Sequence, residues 1–326
     1  MARNTMEAWL REEQGSEVIR RLNETSVAET WLRSTPMSGE TKTEPRMVDM
    51  GVAVVAKGGT YSEDTGANDE VTLTARKFGQ ALRVAEEDID DNIANVLEAK
   101  KASWANSFAM IFDSAVFGVS AAENGTTIPF TSIYKALNTA NAATGYTADD
   151  NVLTVEAGDF LATTGENGYT KLSDLASLVE GKGYADSRNG FVAHPVFKGL
   201  IRKIRDADGN PMFTPSPRAG DPDPLFGYSI RWSNGAVVSA TAVSGAAANI
   251  IGAGVAGTAG NPLIFFGNPE YAIVGKRSGP ESVVIDGRDG LSALTDETIL
   301  KVRARRAFVL AHEKAWAVLE LIATVP

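Results

Sequence analysis

Residues 85–120 read AEEDIDDNIANVLEAKKASWANSFAMIFDSAVFGVS, and everything else in the chain is placed relative to this stretch. Ile89, Ile93, Leu97, Trp104, Phe108, Phe112 and Val116 recur at the three- and four-residue spacing of one helix face. Glu86, Glu87, Asp88, Asp90 and Asp91 gather at its start, where the helix dipole favours negative charge, and Asp91-Asn92 suits a cap. From Ile93 to Val119 the spacing predicts a helix about 40 Å long at 1.5 Å per residue. Gly118 and the small residues after it end the run.

Upstream, residues 45–84 read as a long β-hairpin. Val48, Met50, Val52 and Val54 alternate, Lys57-Gly58-Gly59-Thr60 breaks the run, and Val71 to Ala75 returns, continuing to Leu82 and Val84. Such a two-stranded ribbon is not stable alone in water and needs a surface to lie on. Residues 1–44 are polar with sparse apolar anchors, among them Trp9, Val18, Leu22, Val27, Trp31 and Leu32. Their helical rhythm is interrupted at Gly15 and stops at Ser34 to Gly39. The segment is an arm that lies on a partner surface or on the main domain.

Downstream the rhythm is mixed. A helix is expected around Ser132 to Ala142 and another over Lys171 to Glu180. The strand Gly190 to Ala193 runs through His194-Pro195 into a helix ending near Ile204. A Gly/Pro-rich loop spans Asp206 to Pro224, and strands are expected at Leu225 to Trp232, Leu263 to Phe266, Val283 to Ile285, Thr298 to Val309 and Ala315 to Ile322. The fold class is α+β with a mixed sheet.

Composition narrows the chemistry. The 326 residues are 44% hydrophobic and 22% charged, enough for a sizeable core. With no cysteine, disulfides and thiolate–metal sites are excluded. The net charge of −10 does not seek out phosphate backbones, and would suit a wall that holds nucleic acid nearby without sticking to it. The N-terminus lacks the apolar core of a signal peptide, and no stretch approaches the roughly 18 apolar residues of a membrane span.

No motif supplies an active site. Gly252 to Gly257 matches G-x-G-x-x-G, but Thr258 to Pro262 follows where a dinucleotide site needs a helix. Asp206-Ala207-Asp208-Gly209-Asn210 resembles half of a calcium loop, but Pro217 stands where the closing glutamate is required, so a tight turn with Gly209 at positive φ is expected. The only two histidines, His194 and His312, fall in no zinc or hydrolase pattern and read as structural. The carboxylates from Glu86 to Asp91 read as a solvated helix start. Arg303-Ala304-Arg305-Arg306 is the one dense basic cluster. On a strand, Arg303 and Arg305 point one way and Arg306 the other, and inter-subunit salt bridges are expected of them. Catalytic, cofactor and metal residues are therefore expected to be absent.

From Met47 onward the order of elements resembles the major capsid proteins of tailed bacteriophages, whose Hong Kong-type fold is shared with encapsulins. Phe191-Val192-Ala193-His194-Pro195 resembles the family's strand ending in Asn/His-Pro. Leu200 to Phe213 resembles the following helix and its D-x-x-G-x-x-x-F turn, and Leu225 to Ile230 the next strand. Phe266-Gly267-Asn268-Pro269 with Tyr271-Ala272-Ile273, and Phe308 to His312, resemble the closing segments. The resemblance implies an N-terminal arm at 1–44, an E-loop hairpin at 45–84, a spine helix with P-domain at 85–170, an A-domain at 171–275 and P-domain return strands at 276–326.

The same resemblance implies a shell of pentamers and hexamers around a double-stranded DNA genome, assembled in the host cytoplasm and present in the virion. It implies a separate scaffolding protein, because the arm looks short for a cleaved scaffolding segment. It also implies a portal, possible decoration proteins, only non-specific contact with DNA, and no membrane. The alternative is an encapsulin-like nanocompartment shell. Subunit-contact candidates are Lys57, Glu63 and Asp64 on the ribbon, Trp9 and Trp31 in the arm, and Arg303, Arg305 and Arg306. Some relatives weld their shells through an E-loop lysine and a P-domain asparagine aided by a glutamate. Lys57 matches the lysine, but Thr298 and Arg305 stand at the other two positions, so no weld is expected.

Overall fold

A computed structural model describes residues 25–46, 52–61, 63, 69–85, 87, 96–163, 167–213, 225–243, 255–285 and 297–322. The chain divides into two compact units. One comprises residues 1–23, 79–106 and 280–304; the other comprises 24–78, 107–279 and 305–326.

The core of the larger unit is a five-stranded sheet. It contains β5 (Val152–Val155), β6 (Gly190–Ala193), β7 (Ser229–Trp232), β8 (Leu263–Gly267) and β11 (Trp316–Leu321) in the order β5-β11-β8-β6-β7. β11 runs parallel to β5 and antiparallel to β8, which is antiparallel to β6. The three central strands are buried along their whole length, as their unbroken apolar runs require. Phe191, Ile264, Phe266, Leu319 and Leu321 join a core with Leu172, Leu175 and Val179 of the helix Gly168–Glu180. Asn167 caps that helix by accepting from the Thr170 N–H, and its apolar residues recur every three or four positions. On the opposite sheet face Trp316 meets Trp31 edge-on at 5.6 Å, and Phe265 meets Phe117 at 5.5 Å. Register pairs Trp316 with Gly267, where a Cβ would lie 2.4 Å from the indole, so this glycine makes room for the tryptophan.

The long helix spans Val96–Phe117, inside the expected range; Ile93 to Asn95 lie outside the described residues. From Phe108 to Phe117 it is buried nearly all round. Its end crosses the segment 235–239 so closely that a Cβ on Gly118 would sit 2.0 Å from the Val237 carbonyl oxygen.

Four expected elements differ from the sequence reading. The ribbon pairs β2 (Thr41–Arg46) with β3 (Asp69–Thr74), so Val71 to Thr74 return against Thr41 to Glu44; Val48 and Met50 of the expected outgoing strand lie outside the described residues. Leu73 fixes this register by packing, fully buried, with Met37, Ile273 and Ala307, which places Lys42 opposite it. Residues 52–56 carry no strand. The helix expected over Ser132 to Ala142 is a single turn, Ile133–Leu137, capped by Ser132 and stopped where Asn141 and Tyr146 bridge. Leu225 to Tyr228 is a tight turn rather than strand, with Phe226 and Gly227 both at positive φ. Arg33–Pro36, expected only to stop a helix, forms strand β1 beside Ile273 to Lys276 of β9 (Ala272–Ile285). β1, β9, β10 (Glu297–Leu310) and β4 (Arg76–Ala85) form a second sheet in the order β1-β9-β10-β4.

Candidate functional site

The contact candidates fall into three groups. On the ribbon, Lys57 lies at a turn closed by the Gly59 N–H donating to the Ala56 carbonyl, with Gly58 at φ +83°. Lys57 and Glu63 are exposed; Asp64 lies outside the described residues. Around them Val52 is 97% exposed, Val54 103% and Tyr61 82%. Soluble proteins do expose single apolar residues, but three largely exposed ones in ten positions make a surface that association would cover.

The arm gives a different picture. Trp9 lies outside the described residues. Trp31 ends the short helix Val27–Trp31 and packs within its own unit, against Trp316 and beneath the Arg231 guanidinium at 4.6 Å. What fastens this part of the arm is Asp113, a carboxylate on the long helix. It accepts from the Ser26 hydroxyl, the Val27 N–H at 3.0 Å, the Ala28 N–H at 3.1 Å and the Ser233 hydroxyl at 2.6 Å. Burial pushes Asp113 above the ordinary aspartate range, against the pull of those four donors.

The arginine cluster splits. Arg303 is part-exposed and pairs with Glu281 at 2.8 Å. Arg305 is half-buried. Arg306 is only 4% exposed; it pairs with Glu29, donates to the Ser278 carbonyl and sits 5.7 Å over the Phe108 ring. The sequence reading made Arg306 an inter-subunit ion pair. Its hydrogen bonds are spent inside its own chain, because the face opposite Arg303 and Arg305 is the buried face of β10.

The described residues of the segments screened for chemistry have structural occupations, whereas Glu86, Asp88, Asp90, Asp91, Gly252 and Gly254 lie outside the described residues. The Asp206 carboxylate accepts from the Asp208 and Asn210 N–H groups, and Gly209 has φ +83°, the expected tight turn. In the glycine motif, the Gly257 N–H that a phosphate would need donates to Glu320 at 2.7 Å. Glu320 is fully buried on β11 and also accepts from the Tyr134 hydroxyl at 2.8 Å and the Asn261 amide at 2.6 Å. His194 is 2% exposed, its Nδ1 accepts from the Val196 N–H, and burial lowers it to about 4. Asn268 is likewise engaged, its amide donating to the Tyr184 carbonyl. Among the described residues no cluster of His, Cys, Asp and Glu has the grouping of a metal site, and no helix is long and apolar enough to cross a membrane.

Asp113 and Glu320 were missed in the sequence, although a signal existed. Each is a lone acid inside an apolar run, Ile111-Phe112-Asp113 and Val318-Leu319-Glu320-Leu321, and an acid buried there must be hydrogen-bonded.

Comparison with solved structures gives the same architecture repeatedly. A chain from Mycobacterium phage Bobi is similar at 17% identity and TM-score 0.71, covering 99% of this chain and 98% of that one. The capsid of a native GTA particle is similar at 21% identity and TM-score 0.69, covering 99% and 100%. A chain from Gordonia phage Cozz is similar at 17% identity and TM-score 0.68, covering 97% and 92%. Among curated protein sequences none matches. The model of the phage capsid family matches residues 9–321, nearly the whole length, and the chain therefore belongs to the phage capsid family: it is a major capsid protein, a structural component of the virion shell and not an enzyme.

Proposed function

We propose that this chain closes an icosahedral shell from rings of five and six copies, and that residues 57–70 of the ribbon act as a clamp lying over a neighbouring copy. The observation that carries the clamp is the exposure of Val52, Val54 and Tyr61 beside Lys57 and Glu63. Apolar side chains left bare in one copy are what a heterologous, ring-closing contact would bury. The proposed parts are the arm at 1–44, the E-loop at 45–84, the spine helix and P-domain at 85–170, the A-domain at 171–275 and the return strands at 276–326. A separate scaffolding protein guides assembly, a portal occupies one vertex, and decoration proteins are an optional addition. The net charge of −10 supports contact with packaged DNA that is non-specific at most.

Deleting residues 57–66, which keeps Asp69 and Glu70 in β3 opposite Arg46 and Pro45, tests the clamp. Circular dichroism of the variant should match the intact chain, and electron microscopy after co-expression with scaffold should show rings or open sheets where the intact chain gives closed shells. Normal closed shells from the deletion variant would remove the ribbon from that role.

A further inference from the structure

His312 occupies the turn to which the base of the ribbon is fastened. Arg46 and Asp69 are the last register pair of β2 and β3, and Arg46 grips both oxygens of Asp69. The same guanidinium donates to the carbonyl of Ala311 at 2.7 Å, one residue before His312. Ala311 in turn donates its N–H to the Tyr271 carbonyl at 2.7 Å. The fastening of the ribbon therefore depends on where the Ala311–His312 backbone sits.

The imidazole holds that backbone through both ring nitrogens. Nδ1 lies 3.3 Å from the Lys314 backbone nitrogen, capping the short turn Glu313–Ala315, and Nε2 lies 2.8 Å from the Tyr184 hydroxyl. A backbone N–H can only donate, so Nδ1 must carry a lone pair. The ring proton is then on Nε2, where it donates to Tyr184 Oη. The Tyr184 and His312 rings are 4.5 Å apart, which fixes the imidazole plane as well. This arrangement exists only for the neutral ring. A second proton has to go on Nδ1, where it meets the Lys314 N–H donor against donor.

We infer that His312 is a proton-sensitive pin for the ribbon: neutral, it caps the 313–315 turn and fixes the anchoring carbonyl; doubly protonated, it loses the cap and frees that turn. Imidazole is the side chain that changes charge just below neutral pH. Among the described residues, the charged and titratable groups on the elements around it include Arg46, Glu44 and Asp69 from the ribbon, Arg33 before it, Lys182, Tyr184, Asp186 and Arg188 from the loop after the helix Gly168–Glu180, Glu270 and Tyr271, and Glu313 and Lys314 on its own turn. Arg46 and Lys314 oppose a cationic ring, whereas Asp69 and Glu313 attract one. With charges of both signs present, the lost cap decides the direction. A cationic His312 also competes with Arg46 for Asp69, which works against the ribbon's anchor in the same sense.

Hydrogen–deuterium exchange on the full-length chain, corrected for intrinsic rates, tests the pin at pH 7.5 and pH 5.5. In the intact chain, protection of amides in 41–46, 69–74 and 314–316 should fall at least about threefold at the lower pH, with the central strands Leu263–Gly267 and Trp316–Leu321 unchanged beyond their first residue. His312→Asn, which keeps an acceptor but takes no proton, should show flat protection over the same interval. Tyr184→Phe keeps the cap and should retain the pH response. No change in the intact chain, or an equal fall in His312→Asn, overturns the inference; the first outcome needs no variant to fold.

Discussion

Two apolar segments of this chain meet opposite fates. In β11, Trp316-Ala317-Val318-Leu319-Glu320-Leu321 is buried from end to end between β5 and β8. In the ribbon, Val52 and Val54 alternate as a strand should, yet stand almost wholly in solvent. Intrinsic preference for extended backbone is similar in the two. The difference is the partner. β11 finds two strands and a helix within its own chain, whereas residues 52–56 have passed beyond the ribbon's last pair, Arg46 with Asp69. A strand pattern without a strand partner is therefore informative in a shell protein, because it marks where the chain is incomplete alone.

The largest effects should come from the buried side of this comparison. Asp113→Ala strips an acceptor from four buried donors and should cost about 3–5 kcal/mol of unfolding free energy, read by urea denaturation. A change under about 1 kcal/mol would mean that the arm is not fastened through Asp113.

His194 gives the next effect, confined to acid. Its folded value of about 4 lies below the ordinary 6.5, so its contribution is complete above pH 6.5 and is lost as pH falls through 4. A difference of about 2.5 pH units corresponds to about 3 kcal/mol. His194→Asn keeps an acceptor for the Val196 N–H without taking a proton. Urea melts at pH 7 and pH 4 should show the intact chain losing about 3 kcal/mol more than the variant.

How legible was all this in the sequence? The buried strands were, because Leu263 to Phe266 and Ala315 to Ile322 are apolar runs bounded by turn residues, and their burial on both faces follows from that. The Asp206 turn was also legible from its Asp and Gly spacing. The ribbon's register was not. It is set by Leu73 against Met37, Ile273 and Ala307, and the last two lie so far along the chain that no local pattern encodes the contact. The arginine cluster was half legible: alternation placed Arg306 opposite Arg303 and Arg305, but which face is buried depends on Glu29 and Ser278, far away in the chain.

The exposed side of the comparison predicts small effects on the single chain. Val52→Ser with Val54→Ser should leave the melting free energy within about 0.5 kcal/mol, since neither side chain is buried. The same pair should lower the yield of closed shells counted in micrographs. A destabilised chain would show that these valines already have a partner within it.

The smallest expected effect is none at all. Thr298 and Arg305 offer neither a carboxamide nor a proton acceptor, and the amides of Asn261 and Asn268 are bound to Glu320 and to the Tyr184 carbonyl. Lys57 therefore has no welding partner at the matched positions, and boiled particles should run as a single band near 34.5 kDa. A covalent ladder would place the chemistry on other residues.

The bare valines also bear on how such a shell responds to temperature. Covering apolar surface near 25 °C is driven by the entropy of released water, with little enthalpy, and it weakens on cooling. In the proposed shell, held at the ribbon by Val52, Val54 and Tyr61 and by no covalent bond, the clamp would tighten as the particle warms and slacken as it chills. Cold, rather than moderate heat, is then the gentle way to open it.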